Sequence, residues 1–149
     1  MDAITSILKH EGFKQKPYID PIAINKLDTD TREILIGVWD KLNVTIGHGL
    51  TYLTEEESAL IVRGRVSRLS SSLAKEKYYF LLLPPVAQQV LIEMAYQLGI
   101  PGLLRFKRMW AAIDARDYAA MATEMLDSRW ARQTPDRAKE LADRVRSLV

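Results

Sequence analysis

Residues 33–50 read "EILIGVWDKLNVTIGHGL". Two apolar runs, 33–39 and 44–50, flank the polar stretch 40–43. Runs of this length and composition on either side of a polar turn predict a β-hairpin. Gly37, Gly47 and Gly49 predict bends, or points where another group comes close to the backbone. On that basis residues 12–53 form a small β-containing lobe, and the fold class is α+β, mostly α.

Outward from that lobe the pattern is helical. Asp2 caps a first helix over residues 2–11, with Ile4, Ile7 and Leu8 on one face and Gly12 as its stop. On the other side, "TEEE" at 54–57 places Thr54 and Glu57 in the register of a capping box. The connecting helical region then spans 54–80. Gly64 costs it about 1 kcal/mol relative to alanine. Ser70–Ser72 are compatible with fraying or with one continuous helix to about residue 80. Pro84 and Pro85 open the next helix, whose apolar face holds Val86, Val90, Leu91, Met94 and Leu98. "GIPG" at 99–102 ends it. Helices follow at about 103–113, 116–126 and 128–132. Thr134 and Pro135 start a last one, striped by Leu141, Val145 and Leu148. The larger helical lobe therefore spans 81–149 and takes in helix 2–11, and a cleft between the lobes is the expected binding site.

The chain of 149 residues has no cysteine, which excludes disulfides and thiol chemistry. Its two histidines, His10 and His48, stand far apart, and no spacing suggests a metal site. No cofactor is expected. The N-terminus "MDAITSILKH" is too short and polar for a signal peptide or a membrane span, so release by another agent is expected for any action outside the cytoplasm. Net charge is +2 but uneven: residues 1–60 hold six basic and ten acidic groups, residues 61–149 fifteen and nine. That asymmetry suits a polyanionic partner, either nucleic acid or the anionic bacterial wall, and is equally explained by solvated helix faces. Arg63, Arg65 and Arg68 share that ambiguity.

The chemistry-bearing stretch is "HEGFKQKPYIDP" at 10–21. Glu11 closes the first apolar helix and Asp20 follows nine positions later in a turn. Two carboxyl groups in different surroundings suit glycoside hydrolysis, where one donates a proton to the leaving oxygen and the other acts on water or sugar. The spacing alone is weak evidence, because a helix terminus and a solvated turn also explain it.

Further motifs stand in order: Tyr18-x-Asp20, Thr45-Ile46-Gly47 with Gly49, "EMAYQLGIPGLLRF" at 93–106, and "SRWARQTPDRAKEL" at 128–141. Together with Glu11-Gly12 they resemble the phage-type lysozymes, the muramidases of glycoside hydrolase family 24 that include endolysins of tailed bacteriophages. The resemblance covers nearly the whole chain outside an insertion at about 22–43. It implies a lysozyme-like fold and cleavage of the β-1,4 bond between N-acetylmuramic acid and N-acetylglucosamine. It also implies roles: Glu11 as general acid, Asp20 as the carboxylate that activates water, and Thr45 as the hydroxyl that helps hold that water. The implied course is single displacement with inversion. Arg137 matches an arginine that pairs with the catalytic glutamate, and Tyr96 and Gln97 match sugar-cleft positions. Met109 and Glu124 fall where the family has further substrate contacts, with different residue types. The implied partner is bacterial peptidoglycan, acted on by a monomer without nucleic acid or stable membrane association. Release would be through a holin pore.

The sequence departs from the family in two ways. Twenty-four residues separate Asp20 from Thr45, where compact members have about five, and the insertion adds Asp40 as a rival second carboxylate. A turn aspartate accounts for Asp40 as well. In "TIGHGL", Leu50 stands where a histidine usually follows the second glycine, and His48 lies between the glycines. Trp110 and Trp130 are expected in the core, and Trp39 in hairpin packing or an extended cleft. The alternatives to an enzyme are an inactive wall-binding or signalling module on the same fold, and a nucleic-acid-binding helical protein.

Overall fold

The computed structural model describes residues 2–15, 25–39 and 52–148, with side chains described for all of these except 36–39. The chain divides into two compact units, Gly12–Leu60 and Met1–Glu11 with Ile61–Val149.

In the first unit the expected hairpin is overturned. Its first arm lies in a helix, Thr29–Trp39, here α2, preceded by α1 at Ala3–Glu11 in the other unit. Among the described residues there is no strand, so the α+β class with a β-containing N-terminal lobe is replaced by a helical one. The run at 44–50 lies outside the described residues. The cause is local. Asp28 accepts the Thr31 N–H through its carboxylate at 2.9 Å, and its carbonyl accepts the Arg32 N–H at 3.0 Å, which makes it a helix N-cap. The Thr31 N–H also holds the Asp28 carboxyl below its ordinary pKa. Arg32 then donates to the carbonyls of Asn25 and Leu27, fastening the preceding turn to the helix. A seven-residue apolar run has no decisive period of its own. The cap upstream decides between strand and helix.

The capping box at Thr54 forms as the sequence predicts. Glu57 N–H donates to the Thr54 hydroxyl at 3.2 Å, and Thr54 N–H donates to the Glu57 carboxylate at 2.8 Å. It opens α3, Glu55–Glu76, which continues unbroken through Ser70–Ser72. The division between units falls within this helix.

The second unit is an all-helical body. After a 3₁₀ turn at Phe80–Leu82 come α4 (Pro85–Leu104), α5 (Lys107–Asp114), α6 (Tyr118–Leu126), α7 (Arg129–Gln133) and α8 (Pro135–Arg146). Helix α6 packs along α8 and α5, α7 packs on α8, and α1 and α8 both pack on α4. The core is built on Val90, Leu91 and Met94 of α4, Met121 and Met125 of α6, and Leu141 and Val145 of α8, all fully buried. Trp110 and Trp130 are core residues, as expected, and each indole N–H is bonded, to the Leu103 carbonyl and the Gln97 side chain respectively. Asp117 and Ser128 cap α6 and α7 through their side chains. Thr134 does not cap α8 with its hydroxyl, which donates instead to the Trp130 carbonyl.

Gly99 breaks α4, with φ 68° and ψ 163°. That backbone region is essentially closed to residues with a Cβ. A Cβ there would meet nothing closer than Pro101 Cδ at 3.7 Å, so the barrier is backbone strain and not a clash. Gly99→Ala is therefore expected to cost about 1–3 kcal/mol, read as a lowered midpoint in urea unfolding with an unchanged slope.

Candidate functional site

Helix α1 exists because Asp2 receives the Thr5 N–H at 3.0 Å and Gly12, at φ 65°, lets the chain leave after Glu11. Its buried face carries Ala3, Ser6 and Ile7, with Ile4 and Leu8 only partly covered. That face packs on α4, and the last turn is laced to α8 by polar contacts.

Glu11 Oε1 accepts from Arg137 Nη1 at 2.7 Å. The Arg137 side chain is 11% exposed and that of Glu11 is 44% exposed, so a mostly covered guanidinium holds a carboxyl that still faces solvent. The other oxygen, Oε2, accepts no hydrogen bond among the described residues.

One turn further along α8, Glu140 accepts from Lys9 Nζ at 3.1 Å and lies 3.4 Å from His10 Nε2. The Lys9 hydrogen bond is the main reason the Glu140 carboxyl sits below its ordinary pKa; desolvation opposes it, and the charges of Lys9, His10 and Arg144 add to it. A folded-state pKa depressed below the ordinary 4.5 stabilises the fold above that pH, and the contribution is lost as the pH falls through the depressed value. Being partly solvated, the group is worth at most about 1 kcal/mol. Glu140→Gln should therefore lower the unfolding midpoint slightly at pH 7, and the gap to the wild type should close as the pH drops below 4.5.

Beneath this seam lies a cluster that sequence reasoning missed. Glu93, at 2% exposure, bonds Arg144 Nη1 at 2.6 Å and takes a short hydrogen bond from the Ser6 hydroxyl. Arg144 also donates to Gln89 Oε1 at 3.2 Å. The signal was a glutamate inside the apolar run "VLIEMAY" at 90–96, because a charge in a core-facing stretch needs a partner.

The other expected site residues are placed as follows. Gln97 Oε1 accepts from Trp130 Nε1 at 2.8 Å, and its amide nitrogen donates no hydrogen bond among the described residues. Met109 is buried and forms the floor of a recess of about 550 Å³, lined also by Leu98, Phe106, Glu124, Trp130 and Gln133. Glu124 is engaged by Arg108 Nε at 2.7 Å, and the same guanidinium reaches Asp127 at 2.9 Å. Tyr96 lines a different hollow, beside Arg65 and Arg68. The structure thus joins Glu11 with Arg137, and Met109 with Glu124. Asp20, Asp40 and Thr45 lie outside the described residues. Among the described residues no cluster of histidine or carboxylate side chains is placed to hold a metal, and no helix is long and apolar enough to cross a membrane.

No family model matches the chain. Comparison with curated proteins supports a lysozyme-like family. The chain is similar to a Dictyostelium discoideum protein described as "Probable T4-type lysozyme 1", 26% identical over 157 aligned positions that cover 95% of this chain and 92% of the relative.

Proposed function

We propose that the protein is a glycoside hydrolase, a muramidase that cleaves the β-1,4 bond between N-acetylmuramic acid and N-acetylglucosamine in peptidoglycan. The observation that carries this reading is the Glu11–Arg137 pair at 2.7 Å, formed by the two residues that the family resemblance matches to a catalytic glutamate and its arginine. The similarity to a probable T4-type lysozyme over nearly the full length of both chains supports the same class.

In this proposal Arg137 fixes the position of the Glu11 carboxyl through Oε1. Oε2 carries the proton delivered to the departing glycosidic oxygen. Asp20 accepts a proton from the attacking water on the opposite face of the sugar, and Thr45 orients that water. The bond from anomeric carbon to water oxygen forms as the bond to the leaving oxygen breaks, so the configuration inverts. Such a mechanism needs the two carboxyl groups roughly 6.5–9.5 Å apart. Gln97, through its amide nitrogen, and Tyr96, through ring and hydroxyl, are the proposed sugar contacts, with Met109 and Glu124 in a neighbouring recess. The setting proposed is a phage-encoded endolysin, active as a monomer and released to the wall through a holin-type pore.

The test is digestion of purified peptidoglycan followed by mass spectrometry of the products. New reducing ends on muramic acid are the expected result. New ends on glucosamine, or only peptide cleavage, would reject the assigned bond. Binding to peptidoglycan without any new ends would favour an inactive wall-binding module.

A further inference from the structure

Helix α3 carries no acidic residue between Glu57 and Glu76, yet it holds Arg63, Arg65, Arg68 and Lys75 in that interval. No arginine there has a carboxylate at i±3 or i±4 to pair with. Arg65 and Arg68 are exposed and make no ion pair among the described residues. Positions 65, 68, 69 and 72 recur at helical spacing and share one face. That face forms one wall of a hollow of about 260 Å³, and the other wall is Ala95, Tyr96 and Gly99 of α4. The hollow therefore gathers two guanidinium groups and two hydroxyls, on Ser72 and Tyr96, with no carboxylate in its lining.

Two like charges three residues apart on a helix repel each other. A multi-oxygen anion relieves that repulsion and takes up both forks. A Cβ on Gly64 would stand 3.7 Å from Arg68 Nη1, so the guanidinium lies back along the helix surface towards Gly64. We propose that the hollow between Arg65, Arg68, Ser72 and Tyr96 binds a phosphate ester of a soluble polyol-phosphate chain. Phosphate offers more acceptor oxygens than a carboxylate and matches a lining rich in donors. A lipid headgroup carries the same phosphate chemistry, but no lining residue is among the large exposed apolar side chains that would enter a bilayer. Binding requires no turnover, and the hollow shares only Tyr96 with the proposed sugar contacts.

The test titrates the full-length protein with a glycerol-phosphate oligomer of about six units at low salt, where charge-assisted contacts are least screened. Wild type should bind, with amide shifts centred on Ser72, Tyr96 and Gly99. Arg65→Gln/Arg68→Gln should weaken binding by about tenfold or more, with an unchanged unfolding midpoint because both side chains are exposed. Arg63→Gln removes a charge from the same helix but not from the hollow, and should change affinity by less than about twofold. An Arg63→Gln effect equal to that of the double variant would overturn the proposal, as would no binding by wild type. Binding of phosphatidylglycerol vesicles without binding of the soluble chain would overturn it in favour of a lipid surface.

Discussion

Glu11→Gln is expected to abolish release of reducing sugar from peptidoglycan, a loss of about 10³-fold or more, while the protein stays folded. The amide is nearly the same size, and its carbonyl oxygen can still accept from Arg137, so the geometry of the α1–α8 seam persists. What it cannot do is deliver a proton, and positioned proton transfer typically contributes 10²–10⁴-fold. The stability change should stay near 1 kcal/mol, because Glu11 is about half exposed and the remaining partner keeps a hydrogen bond. The two readouts must therefore separate, with cleavage lost and the urea midpoint nearly unchanged. Wall lysis at the wild-type rate in this variant would remove Glu11 from the acid role.

Arg144→Met is expected to show the opposite separation, a large loss of stability at a residue with no role in the proposed chemistry. Glu93 is 2% exposed and Arg144 17% exposed, so their 2.6 Å contact sits in a poorly solvated place. Removing the arginine strands a buried carboxylate with only the Ser6 hydroxyl and leaves Gln89 Oε1 without that donor. Breaking one side of a buried pair typically costs about 3–5 kcal/mol, or on the order of 10 °C in melting temperature for a chain of this size. Replacing both charges, in Glu93→Met/Arg144→Met, should recover most of that loss, because the desolvation of two ions disappears together with their attraction. The residual cost should be about 1–2 kcal/mol, for the bonds that Ser6 and Gln89 lose. Thermal and urea unfolding of the two single variants and the double variant complete the cycle. A single-variant loss below about 1 kcal/mol would mean that Arg144 does not hold the Glu93 charge.

The sequence read well wherever structure depends on neighbours a few residues apart. The Thr54–Glu57 box, the Asp2 cap and the stop at Gly12 each rest on one side chain or one backbone angle, and all were legible. The "GIPG" stretch was expected to end its helix; instead α4 kinks at Gly99 and runs on to Leu104. The run at 33–39 was misread because its apolar residues are nearly contiguous and therefore match a strand and a helix equally. The deciding group was Asp28, five residues upstream of the run and the acceptor of the Thr31 N–H. Thr134 takes the N-cap position of α8 as expected, but not through its hydroxyl. Its preference for a cap gave way to the carbonyl of Trp130, one turn back.

At the candidate site the pairing of Glu11 with Arg137 was implied by family resemblance. Nothing in the local chain around either residue announces it, since they are 126 positions apart. The same holds for Ser6 with Glu93, 87 apart, and Trp130 with Gln97, 33 apart. By itself the sequence determined the helical segments of the larger unit, most of their termini and the identity of its core tryptophans, because hydrogen-bond capping and apolar periodicity act over one or two turns. Only the tertiary structure decided which carboxylates are clamped by which arginines, and which arginines are left facing an open hollow. Those outcomes depend on which helix faces meet, and a charge acquires its partner only when the packing of apolar surfaces has brought distant positions together.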